Sequence, residues 1–419
     1  MRSFDVPNYR RYFLGQLVSL SGTWMQVVAE MWLVLQLTHS GFAVGVAAAL
    51  QFLPMLVGGA MGGLIADRFD KRRLLIVTQT AMALPALALL ALTASGAIAL
   101  WMLYLLIFAR GAVNAVDNPA RQAFLVELVG PGRLVNAVSL GSALINGART
   151  IGPAIAGIVI ATVGVVPCFG LNALSFAAMI LALRGMDTAA LRPVTPTVRK
   201  PGQVRNGLRY VRTTPELWIP LALMAIVGTF TFNFQTLLPL LATFGYGGGA
   251  GAYAALTTAM GLGAIAGAVA NSARSGVRPA LLASAAAVFG ALVIAASAAP
   301  SVAVAALALV PVGAASVIFA ASVNSFLQLA VAPHMRGRVM ALYSIVFMGS
   351  TPIGGPLMGW IAGSAGPRVA LALGGVVALG GALWARAAFA RVGLGESERC
   401  QPSSSPTGGR EPARSCSTS

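Results

Sequence analysis

Long apolar runs alternate along the chain with short stretches where charge, proline and glycine collect. The runs cover residues 12–37, 42–66, 74–95, 97–119, 134–162, 165–184, 217–244, 249–272, 279–299, 301–322, 338–363 and 367–390. Each is long enough for the roughly 20 residues that a helix rising about 1.5 Å per residue needs to cross the hydrocarbon core. Lipid offers no hydrogen bonds to backbone groups, so a spanning segment is either a helix or a strand of a closed barrel. The roughly ten-residue alternation of barrel strands is absent. The pattern predicts an all-α polytopic membrane protein with twelve transmembrane helices.

Composition excludes the soluble alternative. Of 419 residues 57% are hydrophobic and 9% charged, against roughly 25% charged in an average globular protein. The net charge of +17 raises the question of a nucleic-acid partner, and the location of the cations answers it. Of 28 Lys and Arg residues, 25 fall at the two ends of the chain or in even-numbered loops. Arg110 and Arg149 lie inside spans, and only Arg368 sits in an odd-numbered loop. This asymmetry places both termini and the long central loop in the cytoplasm. The basic balance is topology, so no nucleic-acid partner is implied. The first span starts too late and runs too long for a signal peptide, and is read as retained. Cys168, Cys400 and Cys416 form neither a disulfide framework nor a metal set, and no cofactor is expected.

Shifting the sequence on itself by 206 residues aligns Gly22 and Thr23 with Gly228 and Thr229, and Arg68 and Arg72 with Arg274 and Arg278. The same shift pairs Asn118 and Gln122 with Asn324 and Gln328. Matches of charged and amide residues at one offset point to an internal repeat. The repeat carries six spans, an even number, so both copies share one orientation, the plan of a transporter whose halves rock about a midplane site. The expected organisation is a first six-helix half over 1–184, a cytoplasmic central loop over 185–216, a second half over 217–390 and a disordered tail over 391–419.

The second loop reads GGLIADRFDKRR, with Gly59, Gly63, Asp67, Arg68, Lys71 and Arg72 at the spacing of a known loop signature. In these residues the chain resembles the major facilitator superfamily. DNPARQAF from Asp117, NAVSL from Asn136, GARTIGPAIAG from Gly147 and the opening GQLVSLSGTWMQ resemble its branch of enterobactin-type siderophore exporters and macrolide efflux proteins. The resemblance reaches to about residue 390. It implies proton-coupled export by alternating access from the bacterial inner membrane, by a chain read as a monomer. Gly152, Pro153 and Gly157 match the family's antiporter signature, although Ala148 and Ala156 stand where glycine is usual.

The residues also have physical readings of their own. Asp67 and Asp117, with Gly63, Arg68, Lys71 and Arg72, are expected to latch one conformation through a network at the cytoplasmic helix ends; the alternative is that the cations only anchor the loop. In the second copy Ala273 replaces the acid beside Arg274 and Arg278, so a latch there is degraded. Ser19, Thr23, Gln26 and Glu30 share one helical face that cannot look at lipid. An ionisable group this deep is expensive, so Glu30 is the candidate proton-coupling site; the alternative is a neutral, hydrogen-bonded glutamic acid near the outer interface.

Arg110 is the candidate partner of Glu30, with steering proton release, holding an anionic substrate or a purely structural pair as its other readings. Arg110 with Asn114, and Asn146 with Arg149, form further stripes. With Thr23, Trp24, Gln26, Thr229, Asn233 and Thr236 they outline a substrate cavity. Neighbouring aromatic and methionine side chains suit bulky amphipathic small molecules. An enzyme is disfavoured because His39 and His334 stand alone, with no metal cluster and no Ser/His/Asp arrangement, and ATP-driven pumping because no G-x-x-x-x-G-K-[ST] motif occurs. Within the transporter class, symport, passive facilitation and lipid flipping remain alternatives.

Overall fold

The computed structural model describes residues 2–192, 203–272, 279–332 and 335–392. Among them every regular element is helical, and twelve segments are long and apolar enough to cross a membrane. The first six are α1 (Pro7–Thr38), α2 (Gly41–Arg68), α3 (Lys71–Ala94), α4 (Leu100–Val129), α5 (Leu134–Val163) and α6 (Val166–Arg184). A shorter helix, α7 (Gln203–Thr213), precedes α8 (Pro215–Phe230) and α9 (Phe234–Leu240). Then follow α10 (Ala250–Ser272), α11 (Pro279–Ser297), α12 (Val302–Ala330), α13 (Arg336–Ala365) and α14 (Pro367–Arg391). The tail beyond residue 392, residues 193–202 of the central loop, and Ala273 with Arg274 and Arg278 lie outside the described residues.

Local chemistry sets the helix ends. Ser40 caps α2 by accepting from the Ala43 N–H at 3.3 Å, and Asp70 caps α3 by accepting from the Arg73 N–H at 2.7 Å. The turn between α5 and α6 and the one between α13 and α14 each pass through a left-handed glycine, Gly164 (φ 87°) and Gly366 (φ 97°), with proline opening the next helix. Helices outrun the apolar windows where the flanking residues still favour helix: α4 continues to Val129 through Arg121, Gln122 and Glu127. Within the expected loop, α7 forms on QVRNGLRYVRT, which spaces Leu208 and Val211 along one face.

Packing repeats across the chain. In the first six spans α1 packs on α5 and α6, α2 on α4, and α3 on α4 and α6. In the last six α8 packs on α13 and α14, α10 on α12, and α11 on α12 and α14. These are the same pairings moved on by six spans. Between the two sets the main contacts are α2 with α13 and α5 with α10, which exchange under that same shift.

The seventh span, Pro215–Gly245, is broken between α8 and α9. A break inside a membrane frees backbone groups that must find other partners. Thr231 Oγ1 donates to the Gly374 carbonyl of α14 at 2.7 Å, and Asn233 Nδ2 donates to the Thr229 carbonyl at 2.7 Å.

The glycines show where the two sets of helices touch. Along the face of α2 that meets α13, Gly41 lies against Gly359 and Gly45 against Gly355, backbone to backbone. A Cβ at Gly45 would stand 2.8 Å from the Pro356 Cα. Further along the same helical line, Gly59 meets only Met55 of its own helix, at 3.8 Å. On α5, Gly157 presses on Ala254 of α10, whereas Gly147, nearer the other end of the helix, has nothing within 4 Å. The two sets are therefore sealed at one face and spread at the other. The spread face carries the amino terminus and the even-numbered loops where the cations collect, and is called the basic face below.

Candidate functional site

Sequence places one carboxylate deep in α1, and packing supplies its counter-ion. Glu30 is fully buried and Arg110 is 4% exposed. The guanidinium reaches both carboxylate oxygens, Nη2 to Oε2 at 2.6 Å and Nε to Oε1 at 3.2 Å. Gln26 Nε2 donates to Oε1 at 2.7 Å, Asn172 Nδ2 of α6 donates to Gln26 at 2.5 Å, and Gln51 of α2 accepts from Arg110 at 3.3 Å. A polar knot thus ties α1, α2, α4 and α6. Gly22 permits it, because a Cβ there would meet the Asn172 Oδ1 at 2.7 Å and crowd Ser175. Removing one partner of such a buried pair strands a charge, which costs about 3–5 kcal/mol.

A second knot lies nearer the basic face. Asp117, fully buried, pairs with Arg121 one turn on, and accepts from Thr78 Oγ1 at 2.5 Å and Gln79 Nε2 at 2.9 Å. Arg121 also donates to Gln16, and Ser19 Oγ donates to Gln79 at 3.2 Å. This corrects the expected single latch. Arg72 instead donates to the Leu183 and Arg184 carbonyls at 2.7 and 3.0 Å, closing the carboxyl end of α6. Lys71 pairs with Glu127 at 3.6 Å. Asp67, Arg68, Lys71, Arg72 and Glu127 share the lining of a cavity of about 400 Å³, while Gly63 is buried one turn before Asp67. The regrouping follows from the length of α4, which carries Arg121 and Glu127 past the expected helix end at residue 119.

Arg149 of α5 has a different environment. Its Cζ lies 5.2 Å from the centroid of the Trp24 ring on α1. Among the described residues no hydrogen bond or ion pair reaches its guanidinium. A charged side chain near the bilayer centre costs about 2.5–3.5 kcal/mol on insertion scales, and a cation–π contact returns about 0.5–2 kcal/mol. Asn114 and Asn146 are half-buried, as is Thr23, whose hydroxyl bonds the Ser19 carbonyl at 2.8 Å. Asn146 Nδ2 donates to the Ser142 carbonyl of its own helix at 2.9 Å.

The polar stripe of the second half departs from its expected place in a cavity wall. Asn233 and Thr236 are buried against α13, at Gly354 and Gly359, and Thr229 is half-buried beside them. Asn233 Oδ1 and Thr236 Oγ1 have no hydrogen-bond partner among the described residues. Phe232 joins Phe289, Phe319 and Phe347 in an aromatic cluster at centroid distances of 5.2 to 6.4 Å. Gly152 fits against Ser21, Trp24 and Met25 of α1, so it and Pro153 seat α5 on its own half while Gly157 meets α10. Arg368, the lone cation opposite the basic face, lies 4.8 Å over the Tyr246 ring.

Sequence reading missed Gln51, Gln79, Arg121, Glu127 and Asn172. Gln51, Gln79 and Asn172 are amides within apolar stretches, and Arg121 and Glu127 lie beyond the expected end of the fourth span, so the chain shows each without indicating its partner. Among the described residues no group of His, Cys, Asp and Glu is arranged to hold a metal.

The model of the family MFS_3, transmembrane secretion effector, matches residues 3–408. The chain is 34% identical to the staphyloferrin A transporter of Staphylococcus aureus over 151 residues, 36% of this chain and 38% of that protein. It is 26% identical to the enterobactin exporter EntS of Shigella boydii over 275 residues, 65% of this chain and 66% of that one. These matches span less than two thirds of either relative's length. Among solved structures, a POT family transporter in complex with a thioalcohol-conjugated peptide aligns with a TM-score of 0.73 at 13% identity, covering 92% of this chain and 96% of that one. The nucleoside transporter NupG, in a mutant form, gives 0.71 at 15% identity, covering 91% and 99%. At such identities the likeness is one of fold. The chain belongs to the transmembrane secretion effectors of the major facilitator superfamily, a family of multi-pass membrane transporters rather than enzymes.

Proposed function

We propose that this transporter is a secondary-active exporter of bulky amphipathic small molecules, drug- or siderophore-like, that exchanges its substrate for protons by alternating access at a bacterial inner membrane. The observation that carries the reading is the Glu30–Arg110 pair, two fully or nearly buried charges joining the helices of one half. The similarity to an enterobactin exporter supports the direction. The distribution of cations supports a cytoplasmic basic face, which makes the spread arrangement inward-facing.

Chemically, a proton arriving at Glu30 converts the carboxylate to a neutral acid and releases Arg110 from its bidentate hold. Loss of that proton restores the pair and tightens α1 against α4. Rocking of the halves about the α2–α13 and α5–α10 contacts exposes the site to each side in turn. The loops around Asp67, Lys71, Arg72 and Glu127, and the knot at Asp117, act as the braces that distinguish the two arrangements. The chain works as a monomer in the bilayer.

Proteoliposomes with an imposed pH gradient test the proposal. Antiport requires substrate to move against the direction of protons. Movement in the same direction identifies symport, and gradient-independent movement identifies a facilitator or flippase; either outcome defeats the reading. With Glu30→Gln, gradient-driven transport is expected to disappear while substrate exchange at equal pH survives.

A further inference from the structure

Three charged side chains lie deep in the spans of the first half, and they do not cancel. Glu30 and Arg110 neutralise each other, with Gln26 and Gln51 taking up further bonding capacity. Arg149 is left over. It sits midway along α5, over the ring of Trp24, itself about midway along α1. Its backbone borders the contact between the halves, since a Cβ at Gly261 of α10 would lie 3.2 Å from the Arg149 carbonyl oxygen. The Arg149 side chain itself is half-buried rather than sealed from the space around it.

A cation held over an indole is attracted by the π-cloud, an interaction that satisfies none of its N–H donors. The planar fork of five donors therefore stays available to an acceptor, and its geometry matches a group with two coplanar oxygens. From this we infer that the transported molecule is recognised as an anion, through a carboxylate or a similar paired-oxygen group that docks on Arg149 beside the Trp24 ring. The inference rests on the exporter reading for its site and deepens it by naming the charge of the cargo. Arg149 and Trp24 are binding residues here, and the Glu30–Arg110 pair remains free to follow protons.

Matched probes test this. Dansylglycine and its uncharged amide, dansylglycinamide, differ at the carboxylate alone, as do 2,3-dihydroxybenzoate and 2,3-dihydroxybenzamide. Their affinities are measured by fluorescence for the full chain in nanodiscs. In the unaltered protein at least one carboxylate is expected to bind roughly tenfold or more tighter than its amide, the scale of a hydrogen-bonded charge. Arg149→Gln is expected to bring that ratio close to one while amide binding persists, and Arg149→Lys to retain part of it. Trp24→Leu is expected to weaken both members of a pair.

A carboxylate that binds no better than its amide in either pair overturns the inference, whatever the variants do. So does a preference that survives Arg149→Gln. The exporter reading is judged separately, by gradient-driven flux of the preferred probe in proteoliposomes. Selective binding without proton-opposed flux defeats that reading alone, and proton-opposed flux of both members at equal rates defeats this one alone.

Discussion

The two halves share a packing plan but not a chemistry. Each polar member of the first half's buried knots has, 206 residues on, an apolar or small neutral residue. Glu30 corresponds to Thr236, Arg110 to Ser316, Gln26 to Phe232, Asp117 to Val323, Arg121 to Leu327, Gln79 to Ala285 and Asn172 to Ala378. In the first half the helices are tied by ion pairs and amides; in the second, by aromatic rings and by the bonds that mend the break in its first span. Apolar packing resists motion within a half regardless of pH. Buried charge makes packing depend on protonation. On the exchange proposed above, the difference makes one repeat a stiff counterweight while its copy carries the pair that follows protons.

The largest effect that sharpens this contrast should come from Arg110→Ala, which strands Glu30 in a dry site. A loss of about 3–5 kcal/mol in stability is expected, read as a fall in unfolding temperature in detergent and partly restored by adding Glu30→Gln. Ser316→Ala, at the equivalent place in the second half, should be nearly silent, and a comparable loss there would break the comparison.

A smaller effect is expected at the seam. Gly45→Val pushes side-chain atoms into Gly355 and Pro356, for a cost of about 1–3 kcal/mol, and should increase thiol labelling of a cysteine introduced just beyond the seam. Gly59→Ala, on the same helical line but in open space, should instead hold or gain stability by about 0.5–1 kcal/mol. An effect smaller than that of Gly45→Val is expected from Asn233→Ala. It removes one bond to the Thr229 carbonyl and should cost about 0.5–1.5 kcal/mol, leaving any dependence of flux on the pH gradient intact.

The twelve spans were legible because lipid imposes a length and a polarity that composition cannot disguise. The Glu30 face was legible for a related reason, since charge in a span stands out. Its partners were harder to see. Gln51, Gln79 and Asn172 are single amides in apolar helices, and only packing reveals that α2, α3 and α6 bring them to α1 or α4. The expected latch separated into different bonds because α4 outruns its apolar window and offers Asp117 a partner on its own helix. The break in the seventh span escaped notice because Asn233 reads equally well as cavity lining, whereas it and Thr231 bond backbone carbonyls around the break.

The backbone seam of Gly41 and Gly45 with Gly359 and Gly355 also bears on the economy of the whole cell. Main chain lying directly on main chain has no rotamers to reset when the halves part, so the seal can open and close without waiting on side chains. A methyl group wedged there would prop the barrier ajar in every molecule, whether or not cargo was moving, and its first symptom would be a dissipated proton gradient and slowed growth.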